Sequence, residues 1–147
     1  MFDLVDILVQ KLDPVAQIPR YAHPGDAGAD LVSTIDIVIP PLERVSIPTG
    51  LAIALPAGYA AFLMPRSGLA AKHGITAFIV GTIDAGYRGE IVVILYNTDP
   101  VTEYKVQRGD RIAQLVVQQV SQARFLLAER LPGSDRGQGG FGSTGGF

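Results

Sequence analysis

Cysteine and tryptophan are both absent from the 147-residue chain. Without thiols, disulfides, thiolate nucleophiles and cysteine-ligated metals are excluded, and nothing signals a redox compartment. Charge is scarce: 18% of residues carry one, and 12 basic against 14 acidic side chains leave a formal net charge of −2. That balance speaks against a nucleic-acid partner held by a basic face, and against a disordered chain. Long apolar runs are missing as well, each being broken by proline, glycine or charge, so no membrane partner is expected. Asp3 and Asp6 interrupt the apolar opening, which lacks a basic stretch and does not read as a signal peptide. The expected address is cytoplasmic. His23 and His73 have no metal-ligand spacing and Ser67 has no adjacent histidine, which sets aside zinc sites and serine triads.

Glycine and proline are plentiful instead, at 17 and 10 residues, too many for a helical bundle and too unperiodic for collagen. The length suits one domain that buries roughly 70% of its unfolded surface. Ile35, Ile37 and Ile39 alternate, as do Leu51, Ile53 and Leu55, and each run ends at a proline. Similar β-rich runs occur at 4–9, 44–47, 59–64, 90–96, 111–120 and 124–127, separated by turn chemistry such as Pro56-Ala57-Gly58 and Asp84-Ala85-Gly86. Turns about every ten residues are an all-β signature. Only Leu69–His73 reads as helix. The expected architecture is therefore a single-domain, jelly-roll-like distorted β-barrel or sandwich over residues 1–132. A flexible glycine-rich C-terminal arm over 133–147 follows, with six glycines beyond Asp135. The strand runs look apolar on both faces, which implies cover from a second subunit and hence a homo-oligomer.

Five segments carry polar chemistry. Arg66-Ser67-Gly68 lies where a strand passes into the short helix; amides at a helix start, a guanidinium and a hydroxyl suit phosphate, although Ser67 could simply cap the helix. In Gly81-Thr-Ile-Asp-Ala-Gly-Tyr-Arg-Gly-Glu90, Asp84 could orient and deprotonate water and Tyr87 could lie against a sugar or base; the plainer alternative is an Asx-turn with Tyr87 as a strand residue. Asp26 and Asp30 flank a glycine and could approach a divalent ion or its waters, or merely shape a turn. Gln114 brings a polar amide into an apolar strand, where it must find partners. Arg136, a glycine run, Phe141, Gly142, Ser143 and Thr144 have the make-up of a mobile lid, or of a disordered terminus.

In this order, the segments Ala27–Ser33, Pro65–Ala70, Gly81–Glu90, Arg108–Gln114 and Arg136–Gly145 resemble the five motifs of the homotrimeric dUTP pyrophosphatases (dUTPases), across nearly the whole chain. The resemblance implies hydrolysis of dUTP to dUMP and pyrophosphate, limiting uracil incorporation into DNA. By analogy, Asp84 would orient the attacking water, and Tyr87 would pack on the deoxyribose and exclude a 2′-hydroxyl. Arg66, Ser67 and Gly68 would hold the phosphates, and Gln114 would support them. The hairpin around Thr82, Ile83 and Val92 would read uracil through its backbone. Asp30 would meet a Mg²⁺ through water, the phosphates holding most of the ion. The segment with Arg136, Phe141, Gly142, Ser143 and Thr144 would close over the substrate, with Phe141 on the uracil. Each site would draw on three subunits.

One segment departs from that pattern. Gly74-Ile-Thr-Ala-Phe-Ile-Val-Gly81 is one residue shorter than the family's usual segment and lacks its asparagine; the sole asparagine of the chain is Asn97. Counted back from Gly81, Phe78 falls where the uracil-reading amide is expected, so weaker uracil selectivity follows. A dCTP deaminase is the nearest other enzyme, but it needs a glutamate where this chain has Ile94. A nucleotide-binding or regulatory protein of the same fold with reduced turnover is the alternative from a different class.

Overall fold

The computed structural model describes residues 2–146, so Met1 and Phe147, the ends of the two expected segments, lie outside the described residues. In chain order the elements are β1 (Leu8–Lys11), β2 (Gly28–Val32), β3 (Ile37–Ile39), β4 (Arg44–Pro48), β5 (Leu51–Ala54), β6 (Tyr59–Met64), α1 (Ser67–His73), β7 (Ile75–Ala77), β8 (Gly81–Ile83), β9 (Val92–Asn97), β10 (Tyr104–Val106) and β11 (Arg111–Gln119). The fold is thus all-β apart from one short helix. A four-stranded sheet runs β2-β11-β6-β8 and a three-stranded sheet runs β4-β9-β7; β1 pairs with β5 and β3 with β10. The strand pairings are antiparallel.

These sheets close around one apolar core that includes Leu31, Ile39, Ile47, Leu51, Ile75, Ile91, Leu95 and Ile112. Tight turns make the closure possible. At Pro56-Ala-Gly58, the amide of Tyr59 donates to the Pro56 carbonyl at 3.2 Å, and Gly58 takes a φ of 86°, where a side chain would be strained. The helix ends at Gly74 with φ 66°, its amide donating to the Ala70 carbonyl at 3.0 Å, a left-handed cap that satisfies the last turn.

Several expectations shift. The run at 4–9 pairs only from Leu8, and the run at 35–39 starts at Ile37 because Ser33 Oγ accepts from the Ile35 amide at 3.1 Å and holds a turn there. The run at 90–96 becomes a strand only from Val92, and the helix begins two residues early, at Ser67. No strand forms at 124–127: Phe125, Leu126 and Leu127 are 93%, 75% and 104% exposed. Strand β9 carries apolar side chains on both faces, with Val93, Leu95 and Asn97 buried within the chain and Val92, Ile94 and Tyr96 on the face that the chain leaves exposed or half-buried. Among the described residues, no helix is long and apolar enough to cross a membrane.

Candidate active site

The sheet order brings three of the polar segments to one place. On β11, Gln114 is paired with Asp30 of β2 on one side and Met64 of β6 on the other. Two side chains then cross in opposite directions between β11 and the β6–α1 link. Gln114 Nε2 donates to the Pro65 carbonyl at 3.0 Å, and Arg66 Nη1 donates to the Arg111 carbonyl at 3.2 Å. The Gln114 amide lies flat on Gly28, where a Cβ would overlap it. Asp30, half-buried, faces the Arg111 guanidinium at 3.6 Å.

The helix start beside this cluster is open. Arg66 is the N-cap, extended at φ −99° and ψ 127°, and no side chain caps the first turn, so Ser67 does not cap the helix; it is the first helical residue. The first-turn amides of Ser67, Gly68 and Leu69 therefore point outward without intrahelical partners. Gly68 has an ordinary φ and a Cβ there would meet nothing within 4 Å, so neither backbone strain nor packing within the chain calls for glycine. What the missing side chain preserves is clear space above the amides.

A second group sits in a pocket of about 180 Å³ whose lining includes Thr82, Ile83, Asp84, Tyr87, Glu90 and Val92. The Tyr87 amide donates to the Asp84 carbonyl at 3.1 Å and closes a turn in the link from β8 to β9; these two strands belong to different sheets, so the expected hairpin over 81–92 is instead a connection between sheets. Tyr87 is fixed further: its hydroxyl donates to the Glu90 carbonyl at 2.9 Å, and its ring lies on Gly89, where a Cβ would overlap it. Glu90 in turn accepts from the Gly50 amide at 2.9 Å and ties this link to the core. The Asp84 carboxylate is exposed and has no hydrogen-bond or ion-pair partner among the described residues, so its oxygens are free to accept from water.

The two groups do not meet within one chain. β6 and β8 run antiparallel, with Leu63 opposite Gly81 and Ala61 opposite Ile83. Arg66 lies beyond the Leu63 end and Asp84 beyond the Ala61 end, six residue steps apart, or roughly 20 Å at the usual rise per strand residue. The tail stays separate from both: the hydrogen bonds of residues 133–146, such as Arg136 Nε to the Gly139 carbonyl at 2.6 Å, remain within that segment, and Phe141 is fully exposed at φ 51°. Gly142, Ser143 and Thr144 are likewise exposed.

Phe78 also stands apart. Its amide donates to the Ile94 carbonyl at 2.8 Å, prolonging the β7–β9 pairing, and its ring packs 5.9 Å from that of Tyr96 and 5.2 Å from the Arg44 guanidinium carbon. It does not line the Asp84 pocket of its own chain. A concavity of about 1030 Å³ between β3 and β10 holds none of the candidate residues. Sequence reasoning overlooked Arg111 and Glu90 as organising residues. Both lie inside the quoted segments, but their partners, the Asp30 carboxylate and the Gly50 amide, are far off along the chain and leave no local signal.

Such a scaffold, all-β apart from one short helix among the described residues and with its polar groups divided between the two ends of the β6–β8 strand pair, is that of a small all-β nucleotide hydrolase. The dUTPase family model matches residues 15–145, and the chain belongs to the dUTPase family. It is 60% identical to the deoxyuridine 5′-triphosphate nucleotidohydrolase of Thermobifida fusca (strain YX), over 99% of this chain and 82% of that protein. The enzyme of the same name from Bifidobacterium longum subsp. infantis is 59% identical over 95% of this chain and 90% of its own length. Among solved structures, a mutant dUTPase of Staphylococcus bacteriophage 80alpha with dUpNHpp superposes with a TM-score of 0.90 at 29% identity, covering 95% of this chain and 98% of that one. A mutant dUTPase from phage phi11 of S. aureus, described for its coordination of a structural Mg(II) ion, gives 0.81 at 26% identity over 86% and 98%.

Proposed function

We propose that this chain hydrolyses dUTP to dUMP and pyrophosphate. The observation that carries the chemistry is Asp84: an exposed carboxylate with no partner among the described residues, in the β8–β9 link whose ring, Tyr87, is locked in place. Asp84 accepts a proton from a water as its oxygen attacks the α-phosphorus; the bond from that phosphorus to the bridging oxygen breaks, and pyrophosphate leaves. Tyr87 covers the sugar, and the backbone of Thr82, Ile83 and Val92 faces the base. Arg66, Ser67, Gly68 and Gln114 hold the phosphates at the open helix start.

Mg²⁺ fits this donor set in one way only. Among the described residues no group of three or more carboxylate or imidazole side chains could cage an ion, and Asp30 is a lone hard oxygen already beside Arg111. Asp30 would hold Mg²⁺ through its water shell, with the triphosphate as the main ligand. Bound there, the ion would neutralise charge developing on the phosphates.

The reading includes a homotrimer, as the family resemblance implies; the roughly 20 Å between the Asp84 and Arg66 groups of one chain supports a site shared between subunits. One subunit supplies Asp84 and Tyr87, a second supplies Arg66 and Gln114, and the arm at 133–147 of a third, carrying Arg136, Phe141, Gly142, Ser143 and Thr144, closes over the core formed by residues 1–132. The physiological consequence would be a low dUTP pool and a supply of dUMP, in the cytoplasm. Phe78, packed on Tyr96 and Arg44, offers no amide to the base and makes the backbone the main reader of uracil.

Pyrophosphate release from dUTP, dCTP, dTTP and UTP with Mg²⁺ tests the reading. Wild type should favour dUTP, and Asp84→Asn should slow release by a hundredfold or more, on the order expected when a positioned general base is lost. Equal rates on the four nucleotides would defeat the substrate assignment. Binding without turnover would leave a nucleotide-binding protein of this fold.

A further inference from the structure

Arg111 occupies a point where the strand ladder is irregular. The β11–β2 register shifts between Arg111 and Ala113: Arg111 stands opposite Val32, Ala113 opposite Leu31, and Ile112 is the extra residue. A bulge of this kind re-aims the backbone and side chain around it. Pairing of β11 with β6 begins only at Gln114, so Arg111 lies beyond the end of β6. The result is a relay of two contacts through one residue. The Arg111 guanidinium faces Asp30 at 3.6 Å, and the Arg111 carbonyl accepts from Arg66 Nη1 at 3.2 Å.

We propose that Arg111 is a positioning residue for the phosphate-holding Arg66, and that Asp30 acts on substrate binding partly by anchoring Arg111. This inference rests on the reading of Arg66 given above. The chemistry favours it. A guanidinium has five N–H donors, and one of them bound to a carbonyl sets the plane of the fork while leaving the rest for phosphate oxygens. An unheld arginine on a half-exposed loop has to lose rotamer freedom on binding; one already parked on a strand carbonyl has lost it beforehand. Asp30 closes the relay by fixing the side chain of the bulged residue whose carbonyl does the parking. Asp30 thus has a task that does not involve the metal.

The test is binding of the non-hydrolysable analogue dUpNHpp by calorimetry, with Mg²⁺ and with EDTA, to the full-length wild type and to Arg111→Gln, Asp30→Asn, Arg66→Ala and the double variants. Arg111→Gln should weaken binding about three- to fivefold, the scale of a partly exposed ion pair. It should leave the Mg²⁺ concentration for half-maximal activity unchanged. In EDTA, Asp30→Asn should weaken binding by the same factor, and the Arg111→Gln/Asp30→Asn pair should be no worse than either alone. In an Arg66→Ala background, Arg111→Gln should have no further effect, which a merely structural role would not produce. Thermal midpoints recorded on the same samples keep a loss of folding separate. The inference is overturned if Arg111→Gln binds as wild type does, if its effect persists undiminished without Arg66, or if Asp30→Asn matters only with Mg²⁺. If wild type binds dUpNHpp no better than Arg66→Ala does, the phosphate-site reading and this inference fall together.

Discussion

Glycines 68 and 89 show how one residue type does opposite jobs in the two halves of the site. Gly89 is required by the chain itself, since a Cβ would overlap the Tyr87 ring. Gly68 is not: its φ is ordinary and a Cβ would meet open space. Alanine is the better helix former by up to about 1 kcal/mol, so Gly68→Ala should hold or raise the melting temperature while raising KM for dUTP. Thermal unfolding and steady-state kinetics on one preparation would check this; a lower melting temperature with unchanged KM would put Gly68 back among purely structural residues. The residue scale is also where the sequence was easiest to read wrongly. Asp84, Tyr87 and Gln114 stand out as polar groups among apolar or glycine-rich neighbours. Arg111 does not, because its importance depends on a bulge and on a carbonyl, neither of which has a signature in residue type. Phe78 aligns by counting with a base-reading position; its amide prolongs the β7–β9 pairing and its ring packs against Tyr96.

Strands with alternating residues and a proline stop, such as β5, were legible at the level of elements, whereas β2 was not. Its Gly-Ala-Asp-Leu-Val sequence has small residues at both early positions and reads as a turn with carboxylates; it becomes a strand because Gly28 must lie flat under Gln114. The three-residue strands β7, β8 and β10 are too short for any period to show. The opposite error, at 124–127, arose from β-forming residues that find no partner within the chain. The helix is held from its far end. Its described residues are all at least partly exposed, but Thr98 Oγ1 donates to the Gly74 carbonyl at 2.8 Å, and the His73 ring lies 5.0 Å from that of Tyr104. Burial, and next the Asp110 charge, raise the Tyr104 phenol above its ordinary value of 10.0, with Arg66 opposing. A raised folded value means that the unfolded chain loses its proton first. Stability from this group is therefore complete below about pH 10 and falls as pH climbs through the folded value. Tyr104→Phe should show a shallower alkaline loss of stability than wild type in urea unfolding between about pH 9 and 11. An identical slope would remove Tyr104 from the clamp.

For the molecule as a whole, the decisive feature is the distance between the two halves of the site. If two chains complete each other, Asp84→Asn and Arg66→Ala variants, each inactive alone, should regain measurable pyrophosphate release when unfolded together and refolded as a mixture. Some assembled sites would then combine an intact Asp84 with an intact Arg66. Activity no greater than the sum of the separate variants would argue for sites contained within single chains. The apolar and exposed Phe125, Leu126, Leu127 and Leu131 run the same way, since within the chain they are left uncovered.

The paired strands β6 and β8, linked through α1 and β7 rather than by a tight turn, thus form a spacer bar. If its two ends serve different reaction centres, as the proposed trimer requires, its length sets how far neighbouring centres stand from one another. A two-residue insertion in both strands would preserve every inward and outward side chain, yet it would carry all the centres about 7 Å out of step at once. In such an assembly, drift in the length of this strand pair is closed off even though neither the core nor the chemistry of any single residue forbids it.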